Sequence, residues 1–313
     1  MKIKTRISNN TLLICLFSLL FISIAGKVGI SMFDGDLNDG FFSQISYVSE
    51  NYNNTSVVSP LFIIHILRLL IVSPFFLIYL FELPPYFDAF IFTLYLIPLF
   101  LYRGIKFKLI FILVIFFLPF MFSYRTVLGM LGMLYLYLCL FYCSGKYLLL
   151  TISALLANLS SGMVLGWIFA IFTSIKFIRN KYPKIVPLLI LMILGFLGSV
   201  IHKYEFMFTA LGTAENGNML ERSTYYVAVV NEQYSRLFLY LVLAITLISI
   251  LISPLFSKGF SHRKFLFFIG AVPLLFFEGV GLVSYSLCMV LIIFNNIYYF
   301  FRKEIGKKKV LLS

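Results

Sequence analysis

Charge is what this chain has least of. Charged residues fill 12% of its 313 positions, about half the share of a soluble globular domain, so there are too few ions to cover a water-facing surface. Cysteine is also sparse: Cys15, Cys139, Cys143 and Cys288 all fall in apolar runs without Cys-x-x-Cys spacing, and they read as buried small hydrophobes. No nucleotide-phosphate loop, zinc-helix motif or serine elbow occurs, so ATP-driven transport, metalloprotease and hydrolase readings lack support. Asp34-Gly-Asp36 lacks the further oxygen ligands and closing Glu of a calcium loop and reads as a polar turn. The sequence calls for no metal and no cofactor.

What is present is apolar. Hydrophobic residues make up 61% and aromatics 19%, mean hydropathy is +1.01, and apolar runs of roughly 15 to 25 residues recur along the chain, each near the length that crosses a bilayer. The expected fold is all-α: one integral membrane domain over 1–313, polytopic, with about ten transmembrane helices. Net charge is +13, which in a soluble protein would point to nucleic acid. Here the basic residues cluster at Lys2/Lys4/Arg6, Arg103/Lys106/Lys108, Lys176/Arg179/Lys181/Lys184, Lys258/Arg263/Lys264 and Arg302 to Lys309, the pattern of cytoplasmic loops. Nucleic acid is not needed to explain it. The acids lie in or beside the segments left for the outer face, apart from Glu304.

The charge pattern orders the spans. The basic start followed by 12–25 has the look of a signal peptide, but Gly26-Lys27 offers no small-x-small cleavage site. An uncleaved first span is expected, with both termini cytoplasmic. Residues 31–56, rich in acids and without Lys or Arg, are expected outside. The run 57–81 carries His65 and Arg68 on one helical face, and Arg68 is either a contact for a lipid-linked anion or a snorkelling side chain. If 57–81 crossed fully outward-to-inward, Arg103 to Lys108 would fall outside, so a dip that enters and returns is expected there. Further spans are expected at 87–102, 109–123, 126–143, 147–160, 161–175, 185–201, 237–257, 265–280 and 282–301. The pair at 147–175 also reads as one long tilted helix. No inverted repeat is visible, which counts against a secondary transporter.

A large outer loop is expected at 202–236, the longest polar interruption of the second half. It holds His202, Tyr204, Glu221, Arg222 and Arg236, a mixture that suits an anionic, sugar-bearing substrate or, equally, a solvated connector.

From Pro119 the chain reads Pro-Phe-Met-Phe-Ser-Tyr-Arg125-Thr-Val-Leu-Gly-Met, then an apolar run, Ser-Gly-Lys146, then Asn158-Leu-Ser160-Ser161-Gly162 and a run closing in Lys176 to Lys184. This layout resembles the oligosaccharide repeat-unit polymerases of bacterial surface polysaccharides, the Wzy and EpsG-like group, though it lacks a histidine near Ser160-Ser161. The resemblance implies a glycosyltransferase of the bacterial inner membrane. It would move a growing O-antigen or capsular glycan from undecaprenyl diphosphate onto a new lipid-linked unit at the periplasmic face; with no clustered carboxylates at ligand spacing in the sequence, the transfer is expected to be metal-independent. The implied partners are the undecaprenyl-diphosphate-linked oligosaccharide, membrane lipid and a chain-length regulator protein.

Such a transfer needs cations for the diphosphate and a base for the acceptor hydroxyl. Arginine suits the first task because its planar fork binds phosphate oxygens in pairs; Arg125, Arg222 and Arg236 qualify, with Arg68 as a further contact. Glu221 and Glu278 are the candidate bases, with His202 as a substitute. Tyr204, Tyr225 and Tyr226 suit sugar stacking or the headgroup belt. The expected catalytic set is Arg125, Arg222, Glu221 and Glu278; the expected substrate-binding set is Arg236, Arg68, His202 and Tyr204. Interfacial anchoring is the alternative for each. A lipid-linked oligosaccharide flippase or exporter, and an outer-face ligase or acyltransferase, are the competing functions.

Overall fold

The computed structural model describes residues 9–33, 45–46, 48–50, 60–101, 115–120, 123–141, 147–198, 200–201, 244, 266–267, 269–272, 274 and 285. The described residues are mostly helical and contain no strand. Among the described residues, these α-helices run in order: α1 Asn9–Val28, α2 Pro60–Leu80, α3 Tyr86–Tyr95, α4 Ile97–Leu101, α5 Tyr124–Phe141, α6 Tyr147–Ala157, α7 Ser161–Lys181 and α8 Val186–Gly195. Three are long and apolar enough to cross a membrane, over Phe62–Leu80, Tyr124–Phe141 and Ser161–Lys181. The expected outer loop at 202–236, and the spans expected at 237–257, 265–280 and 282–301, lie wholly or mainly outside the described residues.

Helix α2 corrects the expected dip. A segment that enters and returns must turn, whereas α2 is one continuous helix of 21 residues, about 31 Å at 1.5 Å per residue. Pro74 sits inside it and cannot donate to the Leu70 carbonyl. Ser73 Oγ donates to that oxygen instead, at 3.1 Å, so the helix passes the proline without an open acceptor. It ends where Glu82 adopts φ 50°, with Glu82 N–H donating to Tyr79 O at 3.1 Å and Leu83 N–H to Ile78 O at 2.9 Å. This is the left-handed stop usually made by glycine, and Pro84-Pro85 prevents any continuation.

The conflict that prompted the dip dissolves in the packing. The Phe33 ring, beyond the end of α1, meets Phe76 and Tyr79 near the end of α2, with centroids 5.7 and 5.6 Å apart. Gly26 is pressed against the Tyr86 ring, and Phe21 meets Phe92 at 5.5 Å. The ends of α1 and α2 and the start of α3 therefore share one end of the bundle, and α3 returns antiparallel to α1. Helix α3 therefore runs toward the end where α1 begins, and the Arg103 to Lys108 cluster that prompted the dip lies outside the described residues. Where 87–102 was expected to be one span, Leu96 separates α3 from α4, because Pro98 lacks the N–H that the Leu94 carbonyl would accept and its ring crowds that carbonyl.

Helices α5, α6 and α7 form the best-buried part of the bundle. Nearly every residue of α5 from Val127 to Leu140 is buried, and small residues let the backbones approach. At Gly132 an added Cβ would stand 2.6 Å from Ala157 N and 2.9 Å from Ser153 O. Ser153 Oγ donates to Gly132 O at 2.8 Å and accepts from Trp167 Nε1 at 2.8 Å, so one hydroxyl joins the three helices. Tyr135 OH donates to Tyr95 O, tying α5 to α3. At the far end Phe141 stacks on Phe177 at 5.5 Å and Tyr182 OH donates to Leu140 O at 3.3 Å.

Candidate functional site

The expected choice between two spans and one tilted helix at 147–175 resolves as two helices with a break at Asn158-Leu159-Ser160. Helix α6 has 11 residues, about 16 Å, short of a hydrocarbon core of about 30 Å. Helix α7 has 21 and runs on to Lys181, beyond the expected end at 175. Ser160 takes extended backbone angles (φ −132°, ψ 136°) without a capping side-chain bond, and Val164 N–H reaches back to its carbonyl at 3.0 Å.

Two arginines distant in sequence meet this break. Arg68 Nε donates to Asn158 O at 2.7 Å, and its Nη2 donates to Ser161 Oγ at 3.3 Å. Arg125 Nε donates to the next carbonyl, Leu159 O, at 2.9 Å. These are carbonyls that the end of α6 cannot satisfy within itself, and they form the negative end of its dipole. Arg68 is only 4% exposed; the helical face Ile64, Arg68, Ile71, Val72, Phe75 that buries it points into the bundle. Asn158, fully buried, donates from Nδ2 to Ile64 O at 3.3 Å, and its Oδ1 has no hydrogen-bond partner among the described residues. A guanidinium anchored through Nε has its plane fixed, and its Nη edge is the side that pairs with phosphate oxygens.

A buried carboxylate lies one helix further on. Asp88, in the first turn of α3, is 1% exposed, whereas Glu50 and Glu82 are exposed. It shares a face with Ala89, Phe92 and Thr93. Phe92 meets the Tyr124 ring at 5.2 Å and Phe75 meets it at 5.9 Å. Asp88 stands within electrostatic reach of the Tyr124 hydroxyl. That hydroxyl is buried and has no hydrogen-bond partner among the described residues.

Of the expected site residues, the structure brings Arg68 and Arg125 onto adjacent carbonyls. Arg222, Glu221, Glu278, Arg236, His202 and Tyr204 lie outside the described residues. Sequence reasoning did not select Asn158 or Asp88. An amide and a carboxylate set inside apolar runs were the available signals. The fold and site define a helical protein with span-length apolar helices and an arginine-anchored helix break. No family model matches the chain, and neither a curated protein nor a solved structure matches it.

Proposed function

We propose that this chain is a multi-pass transferase of the bacterial inner membrane, with about ten spans, that polymerises oligosaccharide units carried on undecaprenyl diphosphate. The observation that carries the reading is the convergence of Arg68 and Arg125 on Asn158 O and Leu159 O. Two fixed cations at a helix break inside an apolar bundle are costly unless they serve an anion or a structural cap, and a diphosphate leaving group needs such cations. The stretches that carry the resemblance, around Arg125 and around Asn158 to Gly162, are the ones that meet.

Orientation adds support. Helix α7 separates the break from Arg179 and Lys181 by about 30 Å. The end of α3 points toward that same basic end, since Tyr95 joins Tyr135 of α5. With basic clusters cytoplasmic, the break lies at the end of α7 away from the cytoplasm in this reading, and Arg68 reaches it from midway along α2. Arg68 and Arg125 then hold the diphosphate as the glycan leaves it.

The test is the surface polysaccharide ladder of the source bacterium with and without the gene. Collapse to single capped units, restored from a plasmid, supports the polymerase. An unchanged ladder removes it, and loss of even single units from the surface while lipid-linked units accumulate inside turns the reading to an exporter.

A further inference from the structure

The transfer also needs a proton acceptor, and the described part of the chain holds one acid that is buried rather than exposed. Asp88 is 1% exposed in a bundle of apolar and aromatic side chains, where an ionisable group is expensive and commonly functional. Its placement in the first turn of α3 sets the carboxylate at the positive end of that helix. Phe92, one turn on along the same face, packs on Tyr124, which directs the carboxylate side of α3 toward the Tyr124 phenol. A buried tyrosine hydroxyl normally finds a partner, and Tyr124 OH has none among the described residues.

Tyr124 and Arg125 open α5 together, so the phenol and the guanidinium leave adjacent backbone positions roughly 100° apart around the helix. Helix α2 spans both: Arg68 meets the break and Phe75 meets Tyr124, seven residues on and therefore about 10 Å along the axis. The acid, the phenol and the two arginines thus belong to the packed neighbours α2, α3 and α5.

Resting on the transferase reading, we propose that Asp88 accepts the proton of the acceptor sugar and that the Tyr124 hydroxyl orients that sugar's attacking oxygen. The acceptor O–H bond breaks and its proton passes to the Asp88 carboxylate. The oxygen forms a bond to the anomeric carbon of the donor glycan, and the carbon–oxygen bond to the carrier breaks. The diphosphate leaves with the electron pair beside Arg68 and Arg125. This assigns the base to Asp88 in place of Glu221 or Glu278.

The experiment uses the full chain in proteoliposomes with undecaprenyl-diphosphate-linked repeat units extracted from a strain lacking the gene. It reads both capture of the lipid-linked unit and release of carrier diphosphate. Asp88→Asn is expected to lower release about 100-fold or more while capture stays within about twofold. Asp88→Glu, which keeps a carboxylate, is expected to recover at least about a tenth of wild-type release, and Tyr124→Phe to lower it about tenfold. Release by Asp88→Asn at the wild-type rate overturns the assignment. So does joint loss of capture and release in both Asp88→Asn and Asp88→Glu, which makes Asp88 structural. Wild-type protein that captures the unit without releasing diphosphate removes the transferase reading, and the base with it.

Discussion

Replacing Arg68 by Met removes the cation that holds the α6–α7 break from the α2 side. The side chain is buried, so the substitution exchanges a hydrogen-bonded guanidinium for an apolar chain of similar reach. The Nε bond to Asn158 O at 2.7 Å is charge-assisted and worth about 1.5–3 kcal/mol, and the carbonyl left behind loses its donor. The Nη2 bond to Ser161 Oγ at 3.3 Å is longer and adds about 0.5–1 kcal/mol. The expected loss is about 2–4 kcal/mol, a large part of the 5–15 kcal/mol that typically separates folded from unfolded states. The assay is thermal or denaturant unfolding in detergent followed by Trp167 emission. Trp167 is the chain's one tryptophan and lies six residues past Ser161 in α7. A cycle with Ser161→Ala separates the pair: coupling of about 0.5–1 kcal/mol is expected. Arg68→Met within about 0.5 kcal/mol of wild type, or zero coupling to Ser161, refutes the idea that Arg68 anchors the break.

Arg125→Lys is expected to keep membrane insertion, judged by immunoblot of washed membranes, and to lose polymer on the surface ladder, because charge persists while the paired fork does not. Gly132→Ala places a methyl against the α6 backbone and is expected to cost about 1–3 kcal/mol. Gly129→Ala, which meets only the flexible Met163 side chain at 3.1 Å and beyond, is expected to cost less in the same unfolding assay. Glu82→Gly relieves the left-handed backbone at the end of α2 and is expected to stabilise by up to about 1 kcal/mol, read as a higher unfolding temperature.

Continuous apolar periodicity made α5 legible: a span expected at 126–143 is observed at Tyr124–Phe141, since nothing in that stretch interrupts a helix. The polar run Asn158-Leu-Ser160-Ser161-Gly162 likewise marked the joint between α6 and α7. The dip at 57–81 failed for an identifiable reason. It follows from the charge of a neighbouring cluster, whereas the side on which α2 ends is set by ring contacts of Phe33 with Phe76 and Tyr79, which no local pattern encodes. Pro98 was a readable sign of the break at Leu96, but the uninterrupted hydrophobicity around it concealed the interruption. At the site, residue type pointed to Arg68 and Arg125, while their meeting on consecutive carbonyls across 90 and 34 positions of sequence is a tertiary fact. Asp88 reads by its charge as an outer acid, whereas its burial comes with the packing of its helical face, through Phe92, against Tyr124.

The repair of α2 at Pro74 has a consequence for how this sequence tolerates change. Ser73 Oγ supplies the bond that Pro74 withholds from Leu70 O, so the effect of changing either residue depends on the other. Ser73→Ala opens an unsatisfied carbonyl in a helix long and apolar enough to lie in lipid, but only while the proline is present. Once Pro74 is replaced by leucine, the backbone closes its own ladder and the serine becomes dispensable. The two substitutions are expected to be harmless in one order and damaging in the other, so variants that lose the proline are the ones in which alanine at 73 can accumulate.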